Sequence, residues 1–224
     1  MLNLLFPKVC NGCSELLLQD EKVLCSTCRF NLPLACHHRN NDSTFSDVFY
    51  GRFPIEQATA LLQFQKRGIT QNILHNLKYR KQQQISTFFG EWLGSELSEI
   101  ENYKNIDLVI PVPLHKQKLK KRGYNQVEGF GKAIAAALEI PYRDDILLKL
   151  SKTKSQVFKE RFSRFKATWK QEGVFSLQKK EAIENKHILL VDDIITTGAT
   201  LETCALQLLK ATNVKLSLAT IAIA

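Results

Sequence analysis

The stretch HILLVDDIITTGATL, running from His187 to Leu201, decides the fold. His187 through Val191 is an unbroken apolar run of the kind that suits a parallel strand covered on both faces. The strand is expected to end in Asp192 and Asp193, with Ile194, Ile195, Thr196, Thr197, Gly198, Ala199 and Thr200 forming a turn. Leu201, Cys204, Ala205, Leu208 and Leu209 then recur along one face of a helix, which assigns Cys204 to the core, and Val214 to Ile223 reads as a final strand. Strand, helix and strand in that order predict a right-handed βαβ unit in a mostly parallel, helix-covered α/β sheet. Ligands bind beyond the carboxyl ends of such strands, which is where the two aspartates emerge. The turn offers a glycine where the backbone must approach something closely, three threonine hydroxyls and the free N–H groups of the next helix, a combination suited to a terminal phosphate. It lacks the G-x4-G-K-[ST] pattern, and paired carboxylates ahead of it would repel a polyphosphate yet accept hydrogen bonds from a vicinal diol. The implied ligand is a ribose 5-phosphate; Asp192 and Asp193 taken alone also admit a metal site or a solvated strand end.

Upstream, Ile106 to Val112, closed by Pro111 and Pro113, predicts a buried strand running into a loop that carries Lys116, Lys118, Lys120, Lys121 and Arg122. Val127, Phe130, Ile134 and Leu138 mark an amphipathic helix that stops before Pro141. Val48 to Tyr50 and Ala58 to Phe64 read as strands, and helical periodicity follows from Ile69 to Leu77 and from Phe88 to Leu97. A second basic segment, Lys149 to Lys170, contains Phe158, Phe162, Phe165 and Trp169 at helical spacing, which favours core packing over base stacking.

The first 28 residues hold Cys10-x2-Cys13 and Cys25-x2-Cys28 separated by eleven residues. Two such knuckles close a tetrahedral four-thiolate site with no open position, so structural Zn2+ on Cys10, Cys13, Cys25 and Cys28 is expected. Paired disulfides would require an oxidising compartment. With few apolar side chains, among them Leu16, Leu18 and Leu24, such a module draws most of its folding energy from metal. Cys36, His37 and His38 lack the spacing of a second closed site and read as an exposed linker; the turn-rich run from Asn40 to Thr44 then divides a ribbon module and linker, 1–42, from a main domain, 43–224.

The 224 residues include 44% hydrophobic and 24% charged side chains, a soluble globular balance that excludes disordered and collagen-like classes. No apolar stretch approaches the roughly 20 residues of a spanning helix. Without a signal-like amino terminus, the cytoplasm is the expected compartment. Thirty-one Lys and Arg against 22 Asp and Glu give a formal charge of +9, which favours anionic partners.

Two motifs carry a resemblance. The string from His187 to Leu201 resembles the phosphoribosyl pyrophosphate (PRPP) signature of type I phosphoribosyltransferases. The segment Pro111-Val112-Pro113-Leu114-His115, followed after six residues by Arg122-Gly123-Tyr124-Asn125-Gln126, resembles that of the ComF family, also called the GntX or amidophosphoribosyltransferase-like family. Thr153, Gln156 and Arg164 continue the family pattern, while Ala167 stands where it has Asn. The resemblance implies a PRPP site in which Asp192 and Asp193 hold the ribose hydroxyls and Ile194 through Thr200 wrap the 5-phosphate. It also implies Mg2+ with the PRPP, pentosyl transfer to an unidentified acceptor, and a role in natural competence that involves single-stranded DNA and the competence machinery. Lys118, Lys120, Lys121 and above all Arg122 are placed to clamp pyrophosphate, making Asp192, Asp193 and Arg122 the candidate catalytic residues. The other function in view is a non-enzymatic single-stranded-DNA adapter on the same fold, with the basic segments as a phosphate track.

Overall fold

The computed structural model describes residues 7–40, 42–150 and 174–224. The second basic segment's aromatics and lysines beyond 150 lie outside these. Three short helices come first: α1 (Ser26–Phe30), α2 (His37–Asn40) and α3 (Thr44–Asp47). Then follow β1 (Gln57–Gln63), α4 (Ile69–Tyr79), α5 (Gln84–Ser98), β2 (Leu108–Pro111), α6 (Lys116–Arg122) and α7 (Glu128–Ala137). The chain ends with β3 (Leu147–Lys149), β4 (Phe175–Leu177), β5 (His187–Ile195), α8 (Ala199–Leu208) and β6 (Lys215–Ile223).

The central sheet has the order β1-β6-β5-β2 with every pairing parallel, while β3 and β4 form a separate antiparallel pair. The apolar run of β5 accounts for this arrangement. Its alternation places Ile188 and Leu190 in a core with Leu201, Cys204 and Leu208 of α8, and Leu189 and Val191 in a core with side chains of α4, α5 and α7. The expected α/β sheet with helices on both faces is present, and Cys204 is fully buried.

Both sheet borders are covered. On the outer side of β1, Ala35 N–H donates to Leu61 O at 2.9 Å and Gln63 N–H to Pro33 O at 2.7 Å. On the outer side of β2, Val109 N–H donates to Pro141 O at 2.9 Å, and Tyr142 forms a parallel bridge with Val109.

Four expectations need correction. Val48 to Tyr50 is a turn after α3, because Phe45 and Phe49, spaced as on a helix, both drop into the core on the α8 side while Tyr50 points to solvent. The first basic cluster is helical rather than a loop: His115 Nδ1 accepts the Gln117 N–H at 3.2 Å as N-cap, and Gly123, at φ +89°, ends the helix in the left-handed conformation. Strand β5 continues through Asp192 and Asp193 to Ile195, held by β6 through Asp192↔Thr220 and Ile194↔Ala222. Cys36, His37 and His38 are not an exposed linker: His37 opens a helix, and His37 and the His38 side chain are both buried against β1.

Candidate functional site

Strand β2 is followed by α7 on one face of the sheet and leads outward to Tyr142; β5 is followed by α8 on the other face and leads to β6. The crevice between the carboxyl ends of β2 and β5 is therefore a topological switch point, where ligands of open α/β sheets bind. Pairing between the two strands stops at Pro111↔Val191, so Asp192 and Asp193 are the first residues of β5 beyond it.

Both aspartates are buried. Alternation along the strand turns them to opposite faces, and Lys78 acts electrostatically on both. Lys78 Nζ, from the last turn of α4, lies 3.0 Å from Asp193 Oδ1. Lys149, at the end of β3, acts electrostatically on Asp192 and stands 4.7 Å from the Phe175 ring centre. Burial, then the neighbouring Asp193 charge, pushes the Asp192 carboxyl up to about 7 despite the Asp193 N–H that it accepts at 2.8 Å. Burial also lowers the Lys149 ammonium from its ordinary value. Asp193 Oδ2 is buried with no hydrogen-bond partner among the described residues, an acceptor left with capacity to spare.

The turn after β5 is held from behind. Gly198 sits at φ +77°, and a Cβ there would stand 2.6 Å from Phe49 Cε1. The close approach anticipated for this glycine is thus to the Phe49 ring. Arg52 Nη1 donates to Thr197 O at 3.1 Å and reaches Glu202 Oε2 at 3.2 Å, tying the turn to the first turn of α8. Gly198 is also the N-cap and has no side chain to occupy the N–H groups that open α8. Thr196, Thr197 and Thr200 are exposed around that end, between Ile195 and the helix.

Across the crevice, Arg122 hydrogen-bonds Gln126 Oε1 and lies with its guanidinium 5.9 Å from the Tyr79 ring centre, next along α4 from Lys78. Lys118, Lys120 and Lys121 are exposed on α6. A cavity of about 390 Å³ opens beside the end of β2, lined by Pro111, Leu114, His115, Asn125, Leu147 and Lys149 among others. The structure thus adds Lys78, Lys149 and Arg52 to the residues singled out from sequence. None of the three stands inside a recognisable motif.

The four ribbon cysteines converge, with their sulfurs all within 4.8 Å of one another, and could hold a metal ion such as zinc. Cys10 Sγ accepts N–H groups from Gly12 at 3.3 Å and Cys25 at 3.2 Å. Against the effect of burial, such backbone donors bring Cys10 down to about 7, whereas burial and the neighbouring thiols push Cys28 up. The first knuckle is seated on α4: Asn72 Nδ2 donates to Gly12 O at 2.7 Å and Asn76 Nδ2 to Asn11 O at 3.1 Å. A Cβ on Gly12 would come within 3.0 Å of both Cys28 Sγ and Ile69 Cγ2, so only glycine lets the knuckle lie this close. No helix among the described residues is long and apolar enough to cross a membrane.

A strand-borne carboxylate pair at a switch point, a short turn and an uncapped helix belong to the phosphoribosyltransferase-like class of α/β folds, and residues 128–224 match the phosphoribosyl transferase domain family. The chain is 30% identical over 207 residues to competence protein ComFC of Bacillus subtilis (strain 168), covering 87% of this chain and 81% of that one. It is 32% identical over 205 residues to competence protein F of Haemophilus influenzae, covering 86% and 80% respectively. The chain belongs to the ComF family. It is also 23% identical over 141 residues to the DNA utilization protein YhgH of Escherichia coli (strain K12), covering 62% of this chain and 60% of that one.

Proposed function

We propose that the crevice between β2 and β5 binds PRPP with Mg2+, and that the protein carries out or derives from pentosyl transfer in the handling of incoming DNA. The observation that carries this reading is the buried pair Asp192 and Asp193, paired with Lys78, within the field of Lys149 and followed after a short turn by an uncapped helix N-terminus. In this reading the carboxylates accept hydrogen bonds from the ribose hydroxyls. The N–H groups opening α8 and the hydroxyls of Thr196, Thr197 and Thr200 take the 5-phosphate, with Ile194, Ile195 and Ala199 shaping the wrap. The partnerless Asp193 Oδ2 fits a hydroxyl donor or a divalent cation. Mg2+ would supply charge neutralisation to the pyrophosphate when bound.

Arg122, Lys118, Lys120 and Lys121 lie on the β2 side, where they offset charge on the pyrophosphate. The bond between the anomeric carbon and oxygen breaks, its electron pair leaves with pyrophosphate, and an acceptor attacks the cationic carbon. The protein contributes position and electrostatic stabilisation. The cavity beside β2 offers the acceptor a place, with His115 and Lys149 among its polar lining. Glutamine-dependent amination fits poorly: four cysteines converge in the ribbon, Cys204 is sealed in the core, and Cys36 neighbours Glu96. Relatives named for competence and DNA utilization support the DNA context.

Calorimetry with PRPP and Mg2+ tests the reading. Saturable binding is expected, weakened by about tenfold to a hundredfold in Asp193→Asn and in Arg122→Ala. Binding of an unphosphorylated ligand in place of both PRPP and ribose 5-phosphate would overturn it. A second reading, a single-stranded-DNA adapter, is favoured by the exposed lysines of α6. Neutralising Lys116, Lys118, Lys120 and Lys121 together would then flatten the salt dependence of DNA binding by roughly 0.7 per lost phosphate contact. Absence of single-strand binding at low salt removes this second reading, and Mg2+-dependent release of pyrophosphate from PRPP in the presence of an acceptor favours the first.

A further inference from the structure

Cys36, His38 and Glu96 come together from segments about sixty residues apart, with a sulfur, a ring nitrogen and a carboxylate oxygen all within 4.8 Å of one another. The supposed exposed linker is in fact packed: the His38 side chain is fully buried and that of Glu96 is 12% exposed. His37 takes no part, since its Nδ1 accepts the Ala60 N–H at 3.3 Å and its ring packs against Phe45. Cys36 is held at φ +47°, a left-handed conformation that is costly for a residue with a Cβ.

We propose that Cys36, His38 and Glu96 form a second metal site, separate from the four-cysteine ribbon, for Zn2+ or a divalent ion of similar softness. The arrangement around the three donors favours this. Glu96 Oε2 faces His38 Nε2 at 2.7 Å, while Oε1 is held by Arg39 Nη2 at 2.6 Å and Trp92 Nε1 at 2.9 Å. His38 Nδ1 lies 2.7 Å from Thr59 Oγ1. His38 and Glu96 thus each have their second polar atom anchored, the outer-shell support that orients carboxylate and imidazole ligands at metal sites.

The Thr59 hydroxyl can donate or accept, so it serves either imidazole tautomer. With no ion, Nε2–H donates to Glu96 and Nδ1 accepts from Thr59. With an ion, the proton resides on Nδ1 and is donated to Thr59 Oγ1, leaving the Nε2 lone pair for the metal. Cys36 releases its thiol proton to solvent. One thiolate and one carboxylate neutralise a divalent cation. Thiolate, imidazole and carboxylate together select Zn2+ over Mg2+ or Ca2+. Three protein ligands leave a fourth position open. Arg39, Trp92, Ser95 and Glu96 line a surface recess through which an ion and a water molecule would enter.

The test is metal stoichiometry on the full chain, by elemental analysis after dialysis against Zn2+ and by optical titration with Co2+. Two equivalents are expected, the second displaced first by a mild chelator. Cys36→Ser should hold one equivalent and lose the charge-transfer intensity of a single thiolate, while keeping the hydrogen bonds of His38 and Glu96 and the circular dichroism of the wild type. Thr59→Val should weaken the second equivalent by about 10-fold to 100-fold. A single equivalent in the wild type, or two in Cys36→Ser, overturns the proposal. Because the readout is metal content, failure here is distinguishable from failure of the PRPP reading.

Discussion

Replacing Lys78 with methionine probes the pairing on which the candidate site rests. The Lys78 ammonium is 3.0 Å from Asp193 Oδ1, with the lysine side chain 23% exposed and the aspartate 5%. Methionine keeps most of the aliphatic stem and leaves a buried carboxylate whose other oxygen already lacks a partner among the described residues. Breaking a buried pair from one side costs about 3 to 5 kcal/mol, and the partial exposure of Lys78 puts the expected loss at the low end, about 3 kcal/mol. For a chain of this length that corresponds to a fall of roughly 6 to 12 °C in Tm. Asp193→Asn is expected to cost only about 1 kcal/mol, because it relieves Asp192 of a like charge and the freed ammonium can turn to water. In Lys78→Met/Asp193→Asn the buried charge is gone, so the double variant should resemble Asp193→Asn and the cycle should give a coupling of about 3 kcal/mol. Urea unfolding of the four proteins at pH 8, without ligand, supplies the numbers. Additive effects, or a Lys78→Met loss under about 0.5 kcal/mol, would refute the pairing as a structural element of the site.

Gly198→Ala should cost about 2 to 4 kcal/mol, combining a left-handed φ with overpacking against Phe49; Phe49→Leu in the same chain should recover the packing part alone, as measured by the urea midpoint. Asp192 carries a carboxyl raised to about 7, so the native state holds its proton more tightly than the unfolded chain does. Its contribution to stability therefore falls as pH rises from about 4 to about 7 and is level beyond. Asp192→Asn should remove that decline, so the stability difference between variant and wild type grows across this window in denaturation curves at pH 5 and pH 8; an unchanged difference would show that Asp192 does not titrate there.

Much of the framework was legible because burial on two faces leaves a plain trace. The run from His187 to Val191 suits a covered strand, and the stripe from Leu201 to Leu208 places a helix after it. The two knuckles were legible from spacing alone. The end of β5 was read too early because aspartates are poor strand residues; what keeps the ladder going is pairing with Thr220 and Ala222 of β6, which nothing local announces. Helix α6 was missed because it buries none of its side chains and so has no apolar stripe, although His115 and Gly123 bracket it as caps. Lys78 stands on an ordinary amphipathic helix far upstream of Asp193, and Glu96 far downstream of His38. Such meetings are made by the fold, and periodicity within a segment does not encode them.

The strip at Pro33 to Ala35 has a consequence for how the chain can be divided. It lies along β1 and engages the carbonyl of Leu61 and the N–H of Gln63 on the side that β6 leaves open. A shortened protein beginning at residue 43 would keep the sheet but lose this hem, presenting unpaired backbone groups along an apolar strand. Such a border is a template for strand addition between molecules, so the shortened chain would tend toward self-adhesion at concentrations the whole chain tolerates. In the intact chain these backbone groups of β1 are already engaged by the tail of the ribbon, whatever metal the ribbon carries.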